Sequence, residues 1–448
     1  MNPMAAEITQ QSIVIVGLGQ TGLSCARFLV GKGFAVAIMD SREQPPGLEA
    51  LQQEYPEVLI KTGGFDADWL TDADMVVLSP GVDPRHEMIQ LAEQRGIEIV
   101  GDVELFARYA NAPIIAITGS NGKSTVTTLL ADMANEAGKQ CRVGGNLGTP
   151  TLDLISEPAP DFYIVELSSF QLETVKTLNA FASVVLNVSP DHLDRYDSVK
   201  DYQDVKAKIY FGDGVMVVNV DDPYVNQLIQ ENRNQITFGM NADFSVANYE
   251  GRQWLTEKGV RLLDVDTLKI VGKHNVANAL AALALGSAMA LPMSAMLIAL
   301  QQYIGLPHRC RLVVKQNDIC WFNDSKATNV GACIAAIQGL SDTGNIILIA
   351  GGVGKDQDFS ELTVVLQRHV RAIILLGEDA TLIAESVPEQ CEMYRVDSLK
   401  AAVMKAGDIA KTGENIVLSP ACASFDMFSS YEERGDVFEK LVKELCSK

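Results

Sequence analysis

The chain is short of positive charge, of aromatic residues and of any cysteine pattern. Its 36 Lys plus Arg face 57 Asp plus Glu, a formal net charge of -21, which disfavours nonspecific attraction to nucleic acid or to anionic lipid. Aromatics are only 6% of the residues, but hydrophobic residues reach 47% and charged ones 21%, the balance of a soluble globular chain and not of a disordered or fibrous one. The eight cysteines include no CxxC pair and sit beside no clustered histidines, so they read as reduced, mostly buried thiols of a cytosolic protein. The N-terminal MNPMAAEITQQS lacks the basic start and apolar core of a secretory signal. Residues 275–307 carry no charge, but this stretch is alanine-rich and is broken at Gly286 and Pro292. It reads as two packed helices and not as a membrane span.

What is present is length and α/β grammar. A chain of 448 residues is expected to form two or three domains. Short apolar β-branched runs at 12–16, 35–39, 75–78 and 98–100 alternate with helical patterns, as in a parallel sheet. A second set of strands is expected at 113–118, 162–166, 183–187 and 215–220. A third is expected at 319–322, 345–350, 372–376 and 415–418. Boundaries near 101 and 305 follow, and no repeat of fixed period is evident.

Gly17-Leu18-Gly19-Gln20-Thr21-Gly22 lies between a strand and a helix, with Asp40 ending the next strand. This is the dinucleotide fingerprint, in which glycines let a pyrophosphate approach a helix N-terminus. The motif alone does not separate a nicotinamide dinucleotide from another diphosphate, nor from a tight turn without a ligand. Arg42 is a further anion-binding candidate. Gly119-Ser120-Asn121-Gly122-Lys123-Ser124-Thr125 follows the strand 113–118 and opens a helix. It is a P-loop variant with Ile117 where the full spacing has glycine: backbone N–H groups cradle phosphates, Lys123 reaches the β and γ oxygens and Ser124 serves Mg²⁺. No Asn-Lys-x-Asp guanine signature is present, which favours ATP.

Other segments are ambiguous as residues alone. Glu166 after its strand reads either as a Mg²⁺ ligand or as a charge at a helix start. His192 ends another strand, and a lone histidine is structural unless a site surrounds it. Lys206 and Lys208 fall in a charged helical stretch that reads as a solvated face. Asn275 in Gly272-Lys273-His274-Asn275 reads as an N-cap. Pro307-His308-Arg309, Asn323-Asp324-Ser325-Lys326-Ala327-Thr328-Asn329, Gly351-Gly352-Val353-Gly354-Lys355 and Ser419-Pro420-Ala421-Cys422-Ala423-Ser424 complete the set. The last three of these follow strands at the edge where open α/β sheets bind ligands.

Taken together, TGSNGKSTVTTL, ELSSFQLE, DHLDRY, KHNVANALAA, GLPHR, NDSKATN and SPACASFDMF, in this order and nearly end to end, resemble the Mur ligase family of peptidoglycan precursor synthesis. The resemblance implies three domains, each an open mostly parallel sheet with helices. These are a Rossmann-like UDP-substrate domain (1–101), a P-loop ATPase-like central domain (102–305) and a Rossmann-like amino-acid-binding domain (306–448). It also implies an enzyme of cell-wall synthesis; with the charge, cysteine usage and hydropathy above, the expectation is a cytoplasmic monomer with no nucleic-acid partner and no membrane insertion. The implied reaction adds D-glutamate to UDP-N-acetylmuramoyl-L-alanine: ATP phosphorylates the carboxylate to an acyl phosphate, and the amine attacks through a tetrahedral intermediate.

By position in the matching motifs, Lys123 would neutralise the ATP phosphates within the loop Gly119 to Thr125. Ser124 and Glu166 would serve one Mg²⁺ and His192 a second, with Lys206 as a carbamylated lysine. Asn275, Asn278, Arg309 and Asp324 would contact the nucleotide. Leu18, Gln20, Thr21, Ser41, Arg42 and Gly81 would bind UDP, and Asn146 the muramoyl part. Lys326, Thr328, Lys355, Ser424 and Tyr431 would bind D-glutamate, Tyr431 standing where Phe is expected and Val353 where an acidic residue can occur. The competing readings are a sister ligase with a different amino acid, an NAD-dependent oxidoreductase built on the first domain, and a nucleotide-dependent scaffold. The DNPR signature of diaminopimelate-adding ligases is absent.

Overall fold

Runs of Ile, Val, Leu and Ala with no polar alternation are suited to strands buried on both faces, and three such sheets form. The computed structural model describes residues 11–189, 191–192, 195–340, 344–354 and 357–447. The first sheet has the spatial order Leu59–Thr62, Ala35–Asp40, Ser12–Val16, Met75–Leu78 and Glu98–Val100, all parallel. The strand order therefore reverses beside Ser12–Val16, and a crevice opens at the carboxyl ends of this strand and Met75–Leu78.

The second sheet places Ile114–Thr118 between Ala182–Val185 and Phe162–Glu166, with Cys141–Gly145 at one edge and Val215–Asn219 beyond Ala182–Val185. All five residues of Ile114–Thr118 are buried. Past Gln235–Phe238 the sheet continues through Phe244–Tyr249, Arg252–Glu257 and Val260–Asp264, the last two pairings antiparallel. That extension is absent from the sequence reading. Its strands are half-exposed, and its turns rest on Glu250-Gly251 and Lys258-Gly259, all four residues at positive φ, the backbone of tight hairpins.

The third sheet runs Arg311–Gln316, Ile319–Asn323, Asn415–Leu418, Ile346–Ala350, Val370–Leu375 and Glu392–Arg395, with only the first pair antiparallel. The expected three α/β sheets are thus present. The alanine-rich stretch forms the helices Lys273–Ala288 and Met293–Gln302, and among the described residues no helix is long and apolar enough to cross a membrane. All eight cysteines are free thiols. The chain divides into two units, Met1–Asp264 with Asn278–Leu300, and Val265–Ala277 with Gln301–Lys448.

Candidate active site

The crevice of the first sheet is a cavity of about 410 Å³ lined by Gln20, Thr21, Ser41, Arg42 and Gly81 together with Gly17, Gly19 and Ser79. Leu18 is not among the lining residues. Its side chain is fully buried, its N–H donates to Asp40 Oδ2 at 2.7 Å, and its carbonyl accepts from Gly47 N. Asp40 also accepts from Arg42 N, Nε and Nη2. Burial raises the Asp40 pKa, but the Arg42 side chain and the backbone N–H groups of Leu18 and Arg42 outweigh it and hold the carboxyl at about 2. Four donors occupy its two oxygens, so Asp40 orients Arg42 and has no acceptor site to spare for a ribose hydroxyl, as the dinucleotide reading requires.

The P-loop is built by the turn between Ile114–Thr118 and the helix Lys123–Glu136. Gly122, the N-cap, has φ 85°, a left-handed conformation in which a side chain is strained, and a Cβ there would lie 2.3 Å from Asn278 Oδ1. Asn187 fixes the loop from the next strand end, its Oδ1 accepting from Asn121 N at 2.8 Å and its carbonyl from Ser120 N. Lys123 Nζ donates to the carbonyls of Gly119 (2.8 Å) and Ser120 (3.0 Å). Lys206 Nζ donates to the same Gly119 carbonyl at 3.1 Å, so two amines converge on one oxygen.

Lys206 is 1% exposed and its Nζ lies 4.4 Å from the Tyr202 ring centroid. Burial, and then the nearby Lys123, push its pKa well below the ordinary lysine value against a smaller opposing effect of Asp191. The solvated-face reading of Lys206 and Lys208 is therefore wrong. Lys208 is also partly buried, and its Nζ donates to the Glu173 carbonyl. The helix Val199–Ala207 is charged in sequence, yet Tyr202, Gln203 and Lys206 form its inner face.

Glu166 closes its strand in register with Ile117 and is 2% exposed. The following short helix has its own Ser168–Gln171 capping box, so Glu166 is not a helix-start charge. Its Oε1 accepts from Asn146 Nδ2 at 2.7 Å, while its Oε2 is buried without a partner. An orphaned carboxylate oxygen beside a P-loop with a buried Ser124 hydroxyl fits a hard, oxygen-seeking cation. Among the described residues no cluster of three His, Cys, Asp or Glu forms, so such a cation would draw on hydroxyl and phosphate oxygens as well.

His192, at φ 54°, is partly exposed and its ring lies 4.8 Å from that of Phe170. Behind it Arg195 stacks on Phe170 at 4.7 Å and bonds Glu173 and the Val82 carbonyl, while Tyr196 hydroxyl donates to Glu173. Aromatic rings, Phe170 and Tyr202, thus line one side of the exposed histidine.

In the other unit, Asn275 is inside the helix Lys273–Ala288 and not at its N-cap, its Nδ2 donating to the Val271 carbonyl at 2.9 Å. Asp324 is buried, accepting from Cys310 N at 3.0 Å and Ser419 hydroxyl at 2.8 Å, and burial raises its pKa to about 7. Lys326 Nζ sits 3.8 Å from the centroid of the Tyr431 ring. Ser424 Oγ is buried with no partner, and Val353 pairs with Ala423 through two backbone bonds. Thr328 is partly buried beside them in sequence, and Lys355 lies outside the described residues.

Sequence reasoning passed over Arg434. It is 2% exposed, donates to Ser325 Oγ and O and to the Cys422 carbonyl, and so joins the loops bearing Lys326 and Ser424. Its charge within a helical run, YEERG, gives no sequence signal of that role.

Fold and site together define a P-loop α/β protein with a separate crevice, lined by Arg42, at the carboxyl edge of its first sheet. Three family models match in chain order. They are the Mur ligase MurD-like N-terminal domain at residues 11–101, the Mur ligase middle domain at 117–286 and the Mur ligase glutamate ligase domain at 308–422. A UDP-N-acetylmuramoylalanine–D-glutamate ligase of Nitrosococcus oceani is 51% identical over 99% of both chains. One of that name from Pseudomonas aeruginosa is 47% identical over 97% of this chain and 98% of its own. The solved UDP-N-acetylmuramate-alanine ligase MurC of Thermotoga maritima shares the fold at TM-score 0.60 and 19% identity, covering 98% of this chain and 100% of that one. The chain belongs to the Mur ligase family.

Proposed function

We propose that the protein is an ATP-dependent ligase that joins D-glutamate to UDP-N-acetylmuramoyl-L-alanine, releasing ADP and phosphate. The observation that carries this is identity of 51% along the whole chain to a ligase of that name. The proposed reaction serves peptidoglycan assembly and uses a soluble nucleotide sugar, which supports a cytoplasmic location. Residues 1–101, 102–305 and 306–448 are assigned to the UDP-sugar, ATP and D-glutamate respectively.

In this reading Gln20, Thr21, Ser41, Arg42 and Gly81 hold the uridine diphosphate, and Asn146 both orients Glu166 and meets the muramoyl part. Lys123 leaves the Gly119 carbonyl for the β and γ oxygens, where an ammonium stabilises charge that builds during phosphoryl transfer. Asn275, Asn278, Arg309 and Asp324 hold the rest of the nucleotide. Ser124 and Glu166 would hold one Mg²⁺ and His192 a second, with Lys206 beside them, and bound Mg²⁺ supplies charge neutralisation on the transferring phosphate. Lys206 acts there as a carbamate, formed when its neutral amine adds to CO₂, making the N–C bond and releasing a proton to solvent. In the C-terminal unit Lys326, Thr328 and the orphaned Ser424 hydroxyl suit a dicarboxylic amino acid, with Lys355 and Tyr431 completing the set.

Phosphate release is expected to require UDP-N-acetylmuramoyl-L-alanine, D-glutamate and Mg²⁺ together, with D-glutamate far better than L-glutamate. Equal rates with the L enantiomer, or no release with either, would overturn the assignment. Oxidation of NADH at enzymatic rates would favour the oxidoreductase instead. A narrower expectation concerns Arg42→Ala, which removes one charged contact from a half-exposed position. It should raise KM for the UDP substrate about tenfold with kcat unchanged, as steady-state kinetics would read.

A further inference from the structure

The helix Lys273–Ala288 is shared between the two units: its residues through Ala277 belong with the C-terminal sheet, and those from Asn278 belong with the P-loop unit. Within the C-terminal unit, His274 fastens the first turn. The ring occupies a notch left by two glycines. A Cβ on Gly339 would lie 2.3 Å from His274 Nδ1 and 2.5 Å from Cε1, and one on Gly272 would lie 2.9 Å from Cε1. Those separations are overlaps, so neither position admits alanine while the ring stays in place. Nδ1 is buried and makes no hydrogen bond, and burial pushes the imidazole pKa down. Shape, and not a polar partner, holds it there.

Gly339 is in the last turn of the helix Val330–Leu340, and the opposite end of this helix follows the Lys326–Thr328 loop. The link there is tight: Asn329 Oδ1 accepts from Ala332 N at 2.8 Å, Asn329 O accepts from Cys333 N, and Thr328 N donates to Lys326 O. In the same first turn Cys333 Sγ donates to the Ser419 carbonyl, and at the far end Leu340 O accepts from Asn415 Nδ2 at 3.0 Å. A helix of 11 residues, about 16 Å long, is therefore pinned at both ends, with the amino-acid loop at one and the His274 notch at the other.

We propose that His274 is a positioning residue: seated between Gly272 and Gly339, it ties Asn275 to the helix that carries the D-glutamate loop, so that occupancy of the amino-acid site alters nucleotide affinity. The inference rests on the nucleotide and D-glutamate assignments made above. Coupling of this kind is reciprocal, each ligand changing the affinity of the other by the same factor.

The test uses the full chain with Mg²⁺ and UDP-N-acetylmuramoyl-L-alanine, and calorimetric titration of a nonhydrolysable ATP analogue with and without D-glutamate. In the wild type D-glutamate should tighten the analogue at least about fivefold. His274→Ala empties the notch and Gly339→Ala expels the ring, so each should reduce that factor below about twofold, and the double variant should be no worse than either alone because both remove one contact. Gly339→Ala favours the helix by propensity; should it nonetheless fail to fold, His274→Ala carries the test by itself. Absence of coupling in the wild type, or full coupling in folded His274→Ala, overturns the role. Asn275→Ala separates the two levels: unchanged analogue affinity in that variant overturns the nucleotide assignment, and the inference with it, whereas weakened affinity beside intact coupling in His274→Ala overturns the inference alone.

Discussion

Lys206→Ala is expected to lower phosphate release by roughly two to three orders of magnitude and to recover part of it when acetate or formate is supplied. The argument starts from charge. Two ammonium groups donating to the one carbonyl of Gly119, one of them 1% exposed, repel each other where water cannot screen them. Burial and Lys123 both favour the neutral amine of Lys206, and that is the form that adds to CO₂. In the proposed carbamate form, a repelling pair would become an attracting one, and oxygen ligands would stand beside the P-loop. Alanine removes both the ligand and the chain that fills the space against Tyr202, leaving room for a small carboxylate. Lys206→Arg makes a sharper control, because a guanidinium keeps its charge and cannot form the carbamate; it should be as inactive as alanine and should not respond to acetate. Thermal melting of both variants separates loss of chemistry from loss of fold, and an unimpaired alanine variant would remove Lys206 from the site.

Much of this was legible in the sequence wherever a local pattern and a chemical role coincide. The run Ile114–Thr118 followed by the GKST turn specifies strand, loop and helix at once, because only a left-handed glycine at Gly122 lets the chain pass from sheet to helix with its N–H groups inward. Lys206 is the opposite case. Its neighbours Lys200, Asp201, Asp204 and Lys208 set a polar average for the helix, and what buries Lys206 is the packing of that helix under the P-loop, a contact 87 residues distant in sequence. Arg434 was hidden for the same reason, since Ser325 and Cys422 reach it only through the third sheet. Leu18 is a different case: it sits inside a ligand motif, yet its backbone groups are used by Asp40 and Gly47 and its side chain belongs to the core, which the motif does not show.

The net charge of -21 likewise says little about the site. Asp40 consumes part of the Arg42 charge, whereas Lys123 and Lys326 are held by carbonyls and an aromatic face.

Glu166→Gln is expected to lower kcat by about two orders of magnitude or more while leaving the apo protein as stable or more so. The two halves of this expectation come from one atom. Oε2 is buried without a partner, so in the resting protein the carboxylate carries a desolvation cost that its single bond from Asn146 only partly offsets. Glutamine keeps the shape and Oε1 as an acceptor, removes the charge, and turns the second position into a donor that cannot ligate a cation. Ligand-free melting should therefore stay level or rise by the equivalent of about 1 kcal/mol. Mg²⁺ with ATP should raise the melting temperature of the wild type, because a ligand that binds only the folded state stabilises it by mass action, and should raise that of Glu166→Gln much less. A variant that melts lower without ligand and gains as much from Mg²⁺ and ATP as the wild type would show that Glu166 supports the strand end and does not hold the cation.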